Sequence, residues 1–335
     1  MIIKISISMI YQRLLKLSNL IIACLLFSSL GVQAQRKYYN KNENKNLKEL
    51  QVEEDGYHFY VIGDWGRNGH FKQAEVADIM QQAGFILEPE FIISVGDNFY
   101  PDGIASIDDP FLKSSYEDIY YGSNLFCPWY VVLGNHGYRG NVQAQIDYTH
   151  KSQRWKMPAH YYEVEKTLED DQTKAKFIFL DTNPFEDDYY QAEKYAQVKT
   201  QDTLKQKKWL EKTLKNSTAD WNIVIGHHPL YTSGKRVDDE PYVRNHLEEV
   251  FEKYKVPVYF AGHEHDIQHL KPAGVYTHHF VSGAGSEVRP TGISDFTKFS
   301  RSEQGFLIIS LLSSKMLIQA VNWKGEVTYK VEIPK

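Results

Sequence analysis

Nine side chains able to bind a metal or a phosphate recur in one setting: Asp64, Asp97, Tyr100, Asn135, His136, His227, His228, His263 and His265. Each lies within four residues after a glycine that closes a short apolar run. The stretches read HFYVIGDWG, FIISVGDNFY, WYVVLGNHG, WNIVIGHHP and VPVYFAGHEHD. A single histidine or a single Gly-Asp after such a run is usually structural. Five ends built in the same way are not independent accidents. Carboxylates, imidazoles and an amide together suit two transition-type cations better than one, because one zinc needs only four ligands. Two such cations would activate water and clamp a phosphoryl group.

The elements that must carry these groups follow from the pattern. Each run is short and rich in β-branched and aromatic residues, which favours a buried strand. Helical stretches lie between them. FKQAEVADIMQQAGF places Val76, Met80 and Ala83 on one face, and DTLKQKKWLEKTLKN places Leu210 and Leu214 one turn apart with lysines opposite. Strands alternating with helices give an α/β protein, and ligands gather at the carboxyl ends of its strands. The glycine before each ligand is expected to let the backbone turn sharply and approach closely.

The rest of the chain bounds the function. Its 335 residues are 42% hydrophobic and 24% charged, enough for one large core. Residues 1–34 contain Lys4, Arg13 and Lys16 and no acid, then an apolar run from Leu20 to Leu30, then Val32 and Ala34 at the small-residue positions of a signal-peptidase site. The run is too short for the ~20 residues a membrane span requires. The expectation is a cleaved signal peptide over 1–34 and an exported protein, periplasmic or secreted. A lipoprotein anchored at Cys24 is the weaker alternative. Cleavage would leave about eight more acidic than basic residues, which disfavours general nucleic-acid binding. It would also leave Cys127 alone, so no internal disulfide can form, and the thiol is expected to pack as a small hydrophobe. Residues 35–55 are polar and charge-rich and read as a linker; residues 56–335 read as one catalytic domain. Nothing in the sequence fixes an oligomeric state.

The ordered blocks GDWG, GDNFY, GNH, GHHP and GHEH resemble the five-block signature of the metallophosphoesterases, and the tyrosine in GDNFY narrows the likeness to the purple acid phosphatases. GNVQAQIDYTHKSQRWKMPAHYYE, FIFLDTNPF and VYTHHFVSGAGS are similar to the small, tartrate-resistant type, so the likeness spans residues 57–320. It implies a four-layer sandwich of two mixed β-sheets flanked by helices, with a dimetal site at strand carboxyl ends. It implies that Asp64, Asp97, Tyr100 and His265 hold a ferric ion, and that Asp97 bridges to a divalent iron, zinc or manganese held by Asn135, His227 and His263. A free phenol ionises only near pH 10, but a trivalent cation at bonding distance binds the phenolate. The implied reaction is in-line hydrolysis of a small-molecule or protein phosphomonoester by metal-held hydroxide, with His136 protonating the leaving oxygen or binding the phosphate. A phosphodiesterase or nucleotidase, and a redox-active di-iron protein, are the alternatives.

Two departures stand out. The family usually has an acid after the histidine of the third block, and here Gly137 follows. Relatives place another histidine some residues after the fourth block, where this chain reads TSGKR; Lys235 or Arg236 is expected to bind phosphate instead, with His228 lining the pocket. The segment at 183–202, NPFEDDYYQAEKYAQVKTQD, resembles a loop that overhangs the site in tartrate-resistant relatives.

Overall fold

The computed structural model describes residues 47–170 and 172–335. The expected signal peptide and most of the expected linker lie outside them. Among the described residues, no helix is long and apolar enough to cross a membrane.

The apolar runs form strands that belong to two sheets. The first sheet contains β1 (Tyr57–Ile62), β2 (Phe91–Ser94), β3 (Trp129–Val131) and β4 (Trp155–Lys156), which pair in parallel in that order. The second contains β5 (Tyr162–Thr167), β6 (Lys174–Phe179), β7 (Trp221–Ile225), β8 (Val258–Ala261), β9 (Ile267–Leu270), β10 (His278–Ser282) and β11 (Thr297–Arg301). In it β6, β7, β8 and β10 run parallel, and β5, β9 and β11 are antiparallel additions. The chain then returns to the first sheet as β12 (Gly305–Leu311), β13 (Lys315–Asn322) and β14 (Val327–Pro334), with β12 antiparallel to β1. Each sheet has seven strands among the described residues.

Alternation along the strands decides what packs where, since successive side chains point to opposite faces. Phe177, Phe179, Ile223, Ile225, Val258 and Phe260 enter the core shared with the first sheet. Ile178, Val224 and Tyr259, from the opposite face, join Leu210 and Leu214 of α3 (Thr203–Lys215) and Val243 and Leu247 of α4 (Tyr242–Lys253). The earlier helices are α1 (Gln73–Leu87), which buries Val76, Met80 and Ala83, and α2 (Val142–Asp147). The two sheets meet at an aromatic cluster. Phe59 stacks on Phe91 with ring centroids 4.9 Å apart, and Phe177 meets both edge-on at 5.3 and 5.1 Å.

The polar stretch read as a linker is not loose from residue 47 onward. Leu47 is buried, and the Gln51 backbone exchanges two hydrogen bonds of 2.9 Å with the buried side chain of Gln319 on β13. Lys315 then bridges Glu53 and Glu332 at 3.1 and 2.7 Å. Backbone pairing to a buried amide leaves no hydrophobic signature, so polarity alone misreads this segment. Cys127 is half-buried against the core, and burial pushes its thiol up to about 12, which makes it chemically quiet.

Candidate metal centre

The carboxyl ends of β1, β2, β3, β7 and β8 bring the predicted side chains together. The turn is made by the ligand itself at three of the five ends: Asp64, Asp97 and His263 have φ of 58°, 49° and 69°. Left-handed backbone outside glycine costs on the order of 1–3 kcal/mol per residue. Burying a single large apolar side chain returns a similar amount, so the strands on either side can sustain it. Gly96 also has positive φ, at 95°, but the other block glycines do not. Their role is clearance. A Cβ on Gly134 would lie 2.2 Å from Asp97 Oδ1, one on Gly96 2.5 Å from His227 Nδ1, and one on Gly262 2.5 Å from Asp64 Oδ2. Each of these three glycines leaves room for a ligand from another strand, in line with the close approach expected of them, whereas the left-handed turn is the glycine's own only at Gly96.

Each carboxylate has one oxygen engaged by the backbone. His263 N donates to Asp64 Oδ2 at 3.0 Å, and His136 N donates to Asp97 Oδ1 at 2.8 Å. The remaining oxygens face Tyr100, whose hydroxyl lies 2.9 Å from Asp64 Oδ1, 3.1 Å from Asp97 Oδ2 and 3.1 Å from His265 Nε2. Its single proton can go to only one of the two carboxylate oxygens. A second group forms around His227. Its Nδ1 donates to Val95 O at 2.8 Å, which leaves Nε2 turned towards the cluster. That nitrogen lies 3.3 Å from Asn135 Oδ1, 3.2 Å from His263 Nδ1 and 3.5 Å from Asp97 Oδ2. The Asn135 amide nitrogen donates to Tyr195 Oη at 3.1 Å, which turns its oxygen inward.

Seven buried donors thus form two groups that share Asp97 Oδ2, with their ligand oxygens and nitrogens crowded together. Cations resolve this arrangement, and the donor set suits two of them. Charge balance says the same. Burial pushes Asp64 up to about 8, and burial with the Asp64 and Asp97 carboxylates lifts Tyr100 well above its ordinary range. Asp97 is held far below the carboxylate range because the pull of His227 and His136 outweighs burial. Burial and Arg289 lower His265 to about 3, and burial with Arg236 lowers His263 well below its usual value. His227 differs: against burial, the Asp97 carboxylate raises it, so one imidazolium supplies positive charge that bound cations would otherwise supply.

The flanking residues line a cavity of about 880 Å³. His136 bonds Pro101 O through Nδ1 and packs on the Tyr100 ring, centroids 4.3 Å apart, with Nε2 3.9 Å from Asp97 Oδ2. His228 is buried on the cavity wall, with both nitrogens committed: Nδ1 to Thr182 Oγ1 at 2.8 Å and Nε2 to Tyr189 Oη at 2.9 Å. Arg236 lines the cavity and donates to His263 O and Glu264 Oε1 at 3.1 and 3.2 Å. Lys235 is exposed and absent from the lining; it gives its backbone N–H to Glu264 Oε2 at 3.1 Å. The 183–202 segment forms a wall through Glu186, Tyr189 and Tyr195. Sequence reasoning missed Tyr195, Arg139, which donates to it at 2.9 Å, and Glu264, which anchors the 235–236 backbone. Glu264 stood in the GHEH block; no local signal marked the other two.

The calcineurin-like phosphoesterase family model matches residues 57–266. Purple acid phosphatase 7 of Arabidopsis thaliana is 35% identical over 83% of this chain and 86% of its own length. The chain belongs to the purple acid phosphatases. Tartrate-resistant acid phosphatase type 5 of Homo sapiens, 30% identical, covers 83% of this chain and 90% of its own. Among solved structures, GAP50, titled the anchor in the inner membrane complex of Plasmodium, superposes with a TM-score of 0.72 at 26% identity, covering 84% of this chain and 89% of that one.

In this purple acid phosphatase the missing acid at position 137 has a steric counterpart. A Cβ there would lie 2.7 Å from the Nε2 of buried Gln145, so the position has no room for a carboxylate unless Gln145 moves. The carbonyl of Pro101 takes over the orienting bond to the His136 ring.

Proposed function

We propose that the protein is an exported dimetal phosphatase that hydrolyses phosphomonoesters by in-line displacement. The observation that carries this reading is the pair of buried donor groups sharing Asp97. Asp64, Asp97, Tyr100 and His265 would hold a ferric ion, and Asp97, Asn135, His227 and His263 a divalent iron, zinc or manganese. Bound there, the two ions supply positive charge for the phosphate and hydroxide close to neutral pH.

The chain's own groups do the rest. The Arg236 guanidinium, held by Glu264 and the His263 carbonyl, offers a fixed charge to phosphate oxygens at the cavity wall. His136 has Nδ1–H tied to Pro101 O, so Nε2 is the atom left to face substrate. Once protonated, Nε2 gives its proton to the leaving alkoxide. His228, with both nitrogens engaged, shapes the wall and moves no proton. Lys235 is the weaker candidate for phosphate binding, since its backbone alone has a role here. Export rests on the basic and then apolar start of the chain.

GAP50 is titled an anchor, so this scaffold occurs in a protein named for a non-enzymatic role. The complete ligand set favours catalysis here. The test compares turnover of an aryl phosphomonoester and the matching diester by the metal-assayed protein and by Asp97→Ala. Monoester hydrolysis that disappears with the metals in the variant supports the reading. Preference for the diester, or no turnover at full metal occupancy, overturns it.

A further inference from the structure

Arg67 follows the first block directly, and its guanidinium carbon lies 3.9 Å from the centroid of the Tyr100 ring. Phe71 flanks the same group at 5.2 Å. One terminal nitrogen pairs with Glu287 at 2.7 Å, while Nε is buried with no hydrogen-bond partner. The arginine side chain is 18% exposed and that of Glu287 40%. A partly buried arginine placed for structure alone would be expected to spend its buried donors on carbonyls and carboxylates. This one has a single half-exposed counterion and an uncapped Nε, and its closest aromatic contact is the face of Tyr100. Cation–π attraction grows with the electron density of the ring and with exclusion of water. A phenolate bonded to a metal is far richer in density than a phenol. The contact is therefore worth most when Tyr100 acts as a metal ligand.

We propose that Arg67 is a positioning residue for the metal centre, which fixes the ring of Tyr100 and draws electron density from its oxygen, so setting the strength and energy of the tyrosinate–iron bond. The inference rests on Tyr100 being the ferric ligand. Groups around first ligands tune a metal in this way, and their loss commonly costs 10- to 100-fold in affinity. Two effects oppose each other in sign and make the claim specific. Density drawn towards Arg67 lowers the energy of the donor orbital, which moves charge transfer from tyrosinate to ferric iron to shorter wavelength. The same positive charge favours the reduced over the oxidised iron. Removing Arg67 should therefore shift the visible band to longer wavelength and make the ferric ion harder to reduce. Removing the countercharge at Glu287 should do the reverse, because Arg67 is then less neutralised.

The experiment records visible spectra, iron content and the rate of iron release to a chelator for the purified holoprotein, Tyr100→Phe, Arg67→Met, Arg67→Lys and Glu287→Gln. The wild type should show a band that Tyr100→Phe loses. Arg67→Met should keep that band at longer wavelength and release iron about tenfold faster. Arg67→Lys, which keeps the charge without the flat stack, should fall between. Glu287→Gln should move the band to shorter wavelength. No band in the wild type at full iron occupancy refutes Tyr100 as ligand. A wild-type band whose position is unmoved in Arg67→Met at full iron content overturns the role of Arg67 and leaves the ligand reading standing. If Arg67→Met does not fold or hold iron, Glu287→Gln decides: a shift to shorter wavelength supports the proposal, and no shift or one to longer wavelength overturns it.

Discussion

His279 on β10 has an unusual setting for an imidazole, and its replacement should flatten the protein's response to acid. The residue is buried, and neither ring nitrogen has a hydrogen-bond partner. It sits among aromatic rings, with the centroids of Tyr231 and Tyr259 at 5.0 and 6.1 Å. Burial, with Lys271, His278, His269 and Arg244 around it, lowers its pKa to about 3. An unfolded histidine titrates near 6.5. Because the folded value lies below the unfolded one, the unfolded chain binds the proton first. Stability is complete above about pH 6.5 and falls as the pH drops from there towards 3. Between pH 7 and pH 4.5 this one residue removes about 2.5 kcal/mol. In a domain of this size that is roughly 4 °C in Tm. His279→Leu has no hydrogen bond to lose, so it should leave stability at pH 7.5 nearly unchanged and make the fall in Tm from pH 7.5 to 4.5 shallower by that amount. Calorimetry across this range, wild type beside variant, is the assay. Parallel curves would refute the reasoning and place a proton acceptor beside the ring.

Three further outcomes can be checked with simple measurements. His136→Ala should leave metal content intact and lower kcat by roughly 10²- to 10⁴-fold, because its backbone N–H to Asp97 survives the change; loss of metal would make it a ligand instead. Gly134→Ala drives a methyl group to 2.2 Å from Asp97 Oδ1 and 2.3 Å from its backbone nitrogen, so metal content should fall and urea unfolding should show a loss of roughly 2–3 kcal/mol. Mass spectrometry of the protein purified from its native host should find Gln35 at its amino terminus; a lipid-modified Cys24 would replace the cleaved signal with an anchor.

How much was legible in the sequence depends on whether a feature is local. The five runs that end at the cluster appear as β1, β2, β3, β7 and β8, because a continuous apolar run bounded by glycine is a local signal of a buried strand. Helices α1 and α3 announced their buried faces in the same way. The place of β12 was not legible, since its partner lies far along the chain: it pairs with β1 across about 250 residues, as in Tyr57 with Leu311. The convergence of the donors was legible from the repeated Gly-ligand arrangement. Their orientation was not. That Val95 O faces His227 Nδ1, or that Tyr195 turns the Asn135 amide, needs two remote segments to meet. Arg236 and Lys235 show the same limit. Both are basic and adjacent, and only the anchoring of their backbone on Glu264 sends one towards the cavity and leaves the other in solvent.

Clearance glycines connect the scaffold to the chemistry more tightly than the strands do. The two-sheet core is held by apolar packing away from the cluster. The space beside Gly96, Gly134 and Gly262 is different. It is occupied by His227, Asp97 and Asp64, each arriving from another strand, and two of those residues sit in left-handed backbone. Packing alone would favour alanine or larger at such buried strand ends and ordinary φ at the residues that follow. The chain accepts strain at Asp64, Asp97 and His263 and presses buried polar groups together beside them. Those costs are mutually dependent: each glycine is needed only if its neighbour's ligand points inward, and each inward ligand is tolerable only if a cation neutralises the cluster. Apo protein should therefore be markedly less stable than the metal-loaded form, as a binding site that stabilises only the native state requires. Full removal of metal with no change in Tm would mean that the strain is balanced within the protein itself, and the argument for a metal-dependent site would lose its energetic basis.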